Sequence, residues 1–206
     1  MGGGAAGLGY DGGEVVVGVV VAELNQLIAS FGGVEPLGGA VFAPMSDEQV
    51  RAIEERIGRH IPDLYRNFLT TYGASCPKEL VVCHPLNPLP REITRINRVP
   101  VAIFYGLGHT GDGYDLQTRL NFYAGRVPAN MIPIADNGGG SQYLLALTDS
   151  EAGSVFYWDF RNEPPCEEDY MEERGKPRPP EVMLENVHLV ADSFEDFLRR
   201  LEVDVH

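Results

Sequence analysis

Between residues 131 and 159, three short runs rich in β-branched and aromatic residues follow one another with almost nothing between them: Met131 to Ala135, Tyr143 to Leu147 and Val155 to Asp159. The connections are Asn137-Gly138-Gly139-Gly140 and Asp149-Ser150-Glu151-Ala152-Gly153. Parallel neighbours need a crossover of a dozen or more residues, usually a helix, whereas short Gly-bearing connections close hairpins. The segment therefore predicts an antiparallel meander, and the fold must be built around it. Leu80 to Cys83, Val101 to Tyr105 and Val187 to Val190 have the same strand-like composition.

Helical spacing appears before and after these runs. Ser46-Asp47-Glu48-Gln49 places a hydroxyl at a cap position and a Gln three residues on, the reciprocal pairing of a capping box, and Val50, Ile53 and Ile57 then form one apolar stripe. Gly58 fits the left-handed position that ends such a helix, and Arg56 and Arg59 lie near its negative end. A second helix begins near Pro62, with Leu64, Tyr65, Phe68, Leu69 and Tyr72 on its apolar face and Gly73 as its stop. Upstream, Val17, Val20, Val21, Leu24, Leu27, Ile28 and Phe31 recur at helical spacing before Gly32-Gly33, although the valines alone suit a strand as well. At the other end, Asp192-Ser193 caps Phe194, Phe197, Leu198 and Leu201 at i, i+3, i+4 and i+7. The organisation expected is a flexible Gly-rich tail over residues 1–13, a helical extension over 14–45 and one α+β domain over 46–206, with helices packed on a mainly antiparallel sheet.

Charge and cysteine content narrow the function classes. The 206 residues carry 16 Lys and Arg against 30 Asp and Glu, a formal charge of −14. Nucleic-acid affinity comes largely from cations that displace condensed counterions, so DNA, RNA and anionic membranes are disfavoured while a basic protein partner is permitted. Residues 162–181 show no periodicity, contain five prolines and hold the cluster Glu167, Glu168, Asp169, Glu172 and Glu173, which reads as an exposed acidic loop. Three cysteines, Cys76, Cys83 and Cys166, are an odd and sparse set that suits a reducing compartment. The apolar run Val15 to Ala22 is too short to span a bilayer and has acids rather than bases before it, so a cytoplasmic location is expected.

Several constellations imitate catalytic or cofactor sites. Gly106-Leu107-Gly108-His109-Thr110-Gly111 is a literal G-x-G-x-x-G after a strand-like run, with Asp136 about where a ribose-binding acid would fall. Asp112 and Gly113 are poor helix interior, Pro128 interrupts the crossover, and hairpins follow instead of further βα units, so a Gly-rich loop is the preferred reading and no cofactor is expected. Cys76, Cys83, His84 and His109 lack zinc-site spacing, with no C-x₂-C and no H-x₃₋₅-H, and Cys166 is remote, so no metal is expected. A nucleophilic arrangement of Cys83, His109 and Asp112 has no local mark, and a Cys in a β run is more often a small buried hydrophobe. Asp112, Asp115, Asp136, Asp149 and Asp159 offer carboxylates for acid–base work, but four lie in or beside Gly-rich turns, where Asp bonds its own backbone.

Read in order, the blocks look like a known family. Met45-Ser-Asp-Glu-Gln-Val-Arg-Ala-Ile-Glu-Glu-Arg-Ile-Gly58 followed by Ile61-Pro-Asp-Leu-Tyr-Arg-Asn-Phe-Leu-Thr-Thr-Tyr-Gly73 resembles the opening of the SUKH superfamily, the Smi/Knr-like domains. Ile132-Pro-Ile-Ala-Asp-Asn-Gly-Gly-Gly140 is similar to that family's strand and Gly-rich turn, Gly153-Ser-Val-Phe-Tyr-Trp-Asp159 to its next strand, and Ala191-Asp-Ser-Phe-Glu-Asp-Phe-Leu198 to its closing helix. Gly140-Ser141 departs from the Gly-Asp or Gly-Asn of many members, and residues 162–181 look like an insertion. The resemblance implies an α+β fold. For bacterial members it implies immunity proteins that neutralise a cognate toxin, commonly a nuclease; for fungal relatives it implies regulatory scaffolds. It carries no shared catalytic set.

The expected function is therefore a non-enzymatic protein-binding module of the immunity type. A regulatory scaffold is the second reading, and a nucleotide-dependent enzyme using Gly106 to Gly111 the third. The partner expected is a basic toxin nuclease domain, with no nucleic acid and no membrane. Partner contact is assigned to carboxylates at Asp112, Asp115, Asp136, Glu167, Glu168 and Asp169, with Tyr114 and Trp158 as aromatic anchors.

Overall fold

The computed structural model describes residues 12–107 and 113–205 and, outside 12–20 and 149, their side chains. Its elements run α1 (Gly12–Ser30), β1 (Val34–Pro36), α2 (Asp47–Ile57), α3 (Asp63–Thr71), β2 (Ser75–Pro77), β3 (Val81–Cys83), β4 (Val99–Val101), β5 (Ile103–Phe104), α4 (Leu116–Phe122), β6 (Met131–Asp136), β7 (Gln142–Ala146), β8 (Val155–Trp158), α5 (Glu167–Arg174), β9 (Val187–Ala191), α6 (Phe194–Arg199) and β10 (Leu201–Val203). The fold is α+β, as expected. Seven strands form one sheet in the order β1-β2-β5-β6-β7-β8-β9, and a second sheet has the order β10-β3-β4. Every strand pair is antiparallel, the predicted meander being β6-β7-β8.

The caps legible in the sequence form as written. Gln49 N–H donates to Ser46 Oγ at 3.2 Å while Ser46 N–H donates to Gln49 Oε1 at 2.8 Å, closing the capping box of α2, and Gly58 ends it at φ 65°. Pro62 stands one position earlier than a first-turn proline, as the residue before α3. Between these helices the buried Glu54 carboxylate holds the chain's direction: Oε1 accepts Ile61 N–H at 2.9 Å and Oε2 accepts Arg66 Nη1 at 3.0 Å.

Burial opposes the charge on Glu54, but the Ile61 N–H, Arg66 and nearby His60 outweigh it and hold its pKa below the ordinary 4.5. A carboxylate with a depressed folded pKa stabilises fully above its unfolded value and loses that contribution as pH falls through the folded one. Urea midpoints measured downward from pH 7 should therefore decline below pH 4.5 more steeply in the native chain than in Glu54→Gln, which has no carboxylate there to protonate.

Directly paired residues share a sheet face. One row across the sheet is Phe104, Ala135, Tyr143, Tyr157 and His188. It faces the main core, where Phe68 of α3 lies 5.2 Å from Phe104 and Phe197 of α6 lies 4.9 Å from Tyr143, ring to ring. Leu24, Leu27, Ile28 and Phe31 of the amino-terminal extension are buried in this same core, and β1 joins the sheet edge. The extension is thus integral to the fold. The neighbouring row, Asp136, Gln142, Trp158 and Val187, points to the opposite face. There a smaller core forms from Tyr123, Val127, Met131, Leu144, Ala146, Phe156 and Trp158.

Three expectations are corrected. The segment 162–181 is not a structureless loop, because it contains α5 and enters a 3₁₀ turn at Pro180–Leu184; Cys166 supplies the cap, its Sγ accepting Asp169 N–H at 3.4 Å. The closing helix ends at Arg199, and Leu201 opens β10 instead, opposite Cys83 in β3. The helix begins at Gly12, inside the tail assigned to 1–13, whose residues 1–11 lie outside the described residues.

Candidate functional site

The smaller core and the segments around it gather most of the residues assigned to partner contact, and α4 organises them. Asp115 caps α4, its Oδ1 accepting Thr118 N–H at 2.9 Å. The helix presents Arg119 between two rings, 5.0 Å above Tyr105 and 4.6 Å from Tyr114. The Tyr105 hydroxyl lies 3.0 Å from Asp136 Oδ2 and 2.6 Å from Gln142 Oε1 and shares its proton between them. Burial, and then the Asp136 charge, raise the Tyr105 pKa, so this proton stays in place.

Just beyond α4, Arg126 makes a second clasp. Its Nε and Nη2 donate to the two Glu163 oxygens at 2.7 and 2.6 Å, the bidentate geometry that favours Arg over Lys. The same guanidinium lies 4.8 Å from Phe122, 5.1 Å from Tyr123 and 5.7 Å from Trp158. A third arginine, Arg178, donates from Nη2 to Gly125 O at 2.8 Å and from Nη1 to Pro165 O at 2.7 Å, while Glu167 Oε1 accepts its backbone N–H at 3.1 Å. Arg178 thereby ties the root of α5 to the turn that follows α4.

Of the eight residues assigned from the sequence, five are exposed or partly exposed. Glu167, Glu168 and Asp169 are exposed in the first turn of α5, where the positive end of the helix favours them. Tyr114 is partly exposed, beneath Arg119. Asp115 is half-buried and its carboxylate is engaged as a cap. Asp136 and Trp158 are corrected. Asp136 is only 7 % exposed and spends its oxygens on Tyr105 and on Gly138 N–H. Trp158 is 0 % exposed, packed 5.6 Å edge-on to Tyr123. Both sit in the second row of the sheet under α4, and neither can touch a partner without unfolding that face. Asp112 lies outside the described residues, as do His109 and the glycines Gly108 and Gly111.

The sequence reading gave no role to Arg126, Phe160 and Arg178, and it missed α4, which carries Phe122. The available signal was Asp115 as a cap followed by Leu116 and Leu120 at helical spacing. Phe122 and Phe160 are 58 % and 46 % exposed and flank the buried Trp158, through Arg126 and by direct ring contact at 6.2 Å respectively. They are exposed aromatics at this end of the molecule, where Trp158 is buried. Among the described residues no three His, Cys, Asp or Glu side chains converge to hold a metal ion, and no helix is long and apolar enough to cross a membrane. What this end can do chemically is present carboxylates and aromatic rings on a rigid frame.

The family model described as SMI1 / KNR4 family (SUKH-1) matches residues 44–200. Among curated proteins, the chain is similar to the SPbeta prophage-derived uncharacterized protein YokK of Bacillus subtilis (strain 168), with 28% identity over 162 residues, covering 74% of this chain and 72% of that protein.

Proposed function

From the premise that this chain belongs to the SMI1/KNR4 family (SUKH-1), we propose that it is a non-enzymatic protein-binding module of the immunity type, which neutralises a cognate toxin by covering its active surface. The observation that carries the reading is α5. None of its eight residues is buried, and its first turn is Glu167, Glu168 and Asp169. A helix with no apolar face toward its own core contributes little to folding. Its rigid attachment through Arg178 and its exposed carboxylates suit recognition instead. A net charge of −14 speeds encounter with a basic partner such as a nuclease domain, whose own substrate is a polyanion.

The test starts from the toxin encoded beside this gene or captured with it from its host. Reversing charges of α5 with Glu168→Lys and Asp169→Lys should lower the association rate constant about tenfold or more at low ionic strength. The deficit should shrink as salt is raised, because exposed charges are screened. Circular dichroism should show the fold retained, since no α5 side chain enters a core. An association rate and salt dependence equal to the native chain's would overturn α5 as the recognition element.

A further inference from the structure

Between the turn that follows α4 and the 3₁₀ turn at Pro180–Leu184 runs a groove of about 460 Å³, with Val127, Pro128, Ala129, Met183 and Leu184 along it and Glu181 at its rim. Leu184 is 50 % exposed there, an apolar side chain that its own core leaves half in water. The walls are fixed in place by Arg178, whose bonds to Gly125 O and Pro165 O span the groove and the root of α5. A preformed apolar groove loses little ordering entropy when it is filled.

We infer that this groove receives an apolar side chain of the partner protein that is flanked by lysine or arginine. The charge around it selects that occupant. Residues 163–185 carry eight carboxylates against three cations. One of those cations, Arg178, has its guanidinium directed at Pro165 O, Gly125 O and Glu167. An apolar residue entering the groove brings its chain neighbours against Glu181 and α5, where cations are attracted and acids repelled. The same charge turns away an anionic membrane. This inference rests on the protein-binding reading and specifies the partner's contact chemistry.

The test pans a phage library of random dodecapeptides on the full chain at about 0.15 M salt. Enriched peptides should pair an aliphatic or aromatic residue with adjacent Lys or Arg. Their affinity should fall about tenfold or more on Leu184→Asp, a half-exposed position where the fold tolerates the change. Ile96→Asp, at an apolar residue 65 % exposed in the loop before β4, is the control and should bind as the native chain does. Enrichment of acidic or purely apolar peptides, or binding indifferent to Leu184→Asp, overturns the assignment. A dimer in sedimentation that Leu184→Asp dissociates also overturns it, since the groove would then join two copies. Toxin affinity that falls on reversing α5 but not on Leu184→Asp would leave the proposed function standing and remove the groove.

Discussion

Gly106→Ala is expected to destabilise the fold by about 3 kcal/mol or more, at the upper end of what overpacking costs, and to lower the urea midpoint by roughly 1–3 M. A Cβ at this position would lie 2.2 Å from Gly73 C, 2.5 Å from Ala74 N and 2.7 Å from Gly73 Cα. These are backbone atoms at the end of α3 that cannot swing aside as a flexible side chain would. Gly73 is confined on another side as well: it has φ 66°, and a Cβ there would stand 2.0 Å from Ala43 O. Ala74 N–H then donates to Leu107 O at 3.1 Å, joining the chain on either side of the crossing. Gly113→Ala is the matched control. It has open space around its Cβ and a positive φ of 67°, so its cost is the left-handed backbone alone, about 1–2 kcal/mol. Equal losses from the two variants, measured by urea titration, would refute the crossing as the reason for Gly106. The first glycine of the G-x-G-x-x-G pattern is thus required by contact with the chain's own backbone.

Trp158→Ala should cost about 3–5 kcal/mol, the range for truncating a large buried aromatic. For a chain of this length that corresponds to a melting temperature lower by roughly 6–20 °C. The ring is fully buried between the second face of the sheet and the α4 segment, against Tyr123 and under Arg126. Phe160→Ala, at a ring 46 % exposed, should cost much less and should instead weaken partner binding. Thermal unfolding followed by circular dichroism separates the two. A Trp158→Ala chain that melts with the native protein would show that the smaller core does not support the fold and would return Trp158 to the partner surface.

How far the sequence could be read depended on the range of the interactions involved. Ser46 and Gln49 cap α2 across three residues, Gly58 ends it, and short Gly-bearing connections close β6-β7-β8; each is decided locally, and each was legible. Leu201 continues the helical spacing of Phe194, Phe197 and Leu198, yet it pairs with Cys83, a residue more than a hundred positions away. Periodicity could not register that partner. Helix α5 escaped for the opposite reason: with no apolar stripe, it rests on a cap, a favourable first turn and the bonds of Arg178 to distant carbonyls.

The same division runs through the site. Composition and charge pointed to a protein partner and to Glu167, Glu168 and Asp169, because exposed carboxylates in an apolar-poor stretch need no tertiary information to be placed in water. They could not separate Trp158 from Phe160 or Asp136 from Glu167. An aromatic or an acid is written alike whether it is buried or exposed, and only strand register fixes which face it takes. Sequence alone thus determined the α+β class and the order of the main elements, since local propensity sets these. The tertiary structure decided which rings and carboxylates a partner can reach, because the pairing of Asp136, Gln142 and Trp158 across three strands, and the placing of α4 over them, exist only once distant segments meet.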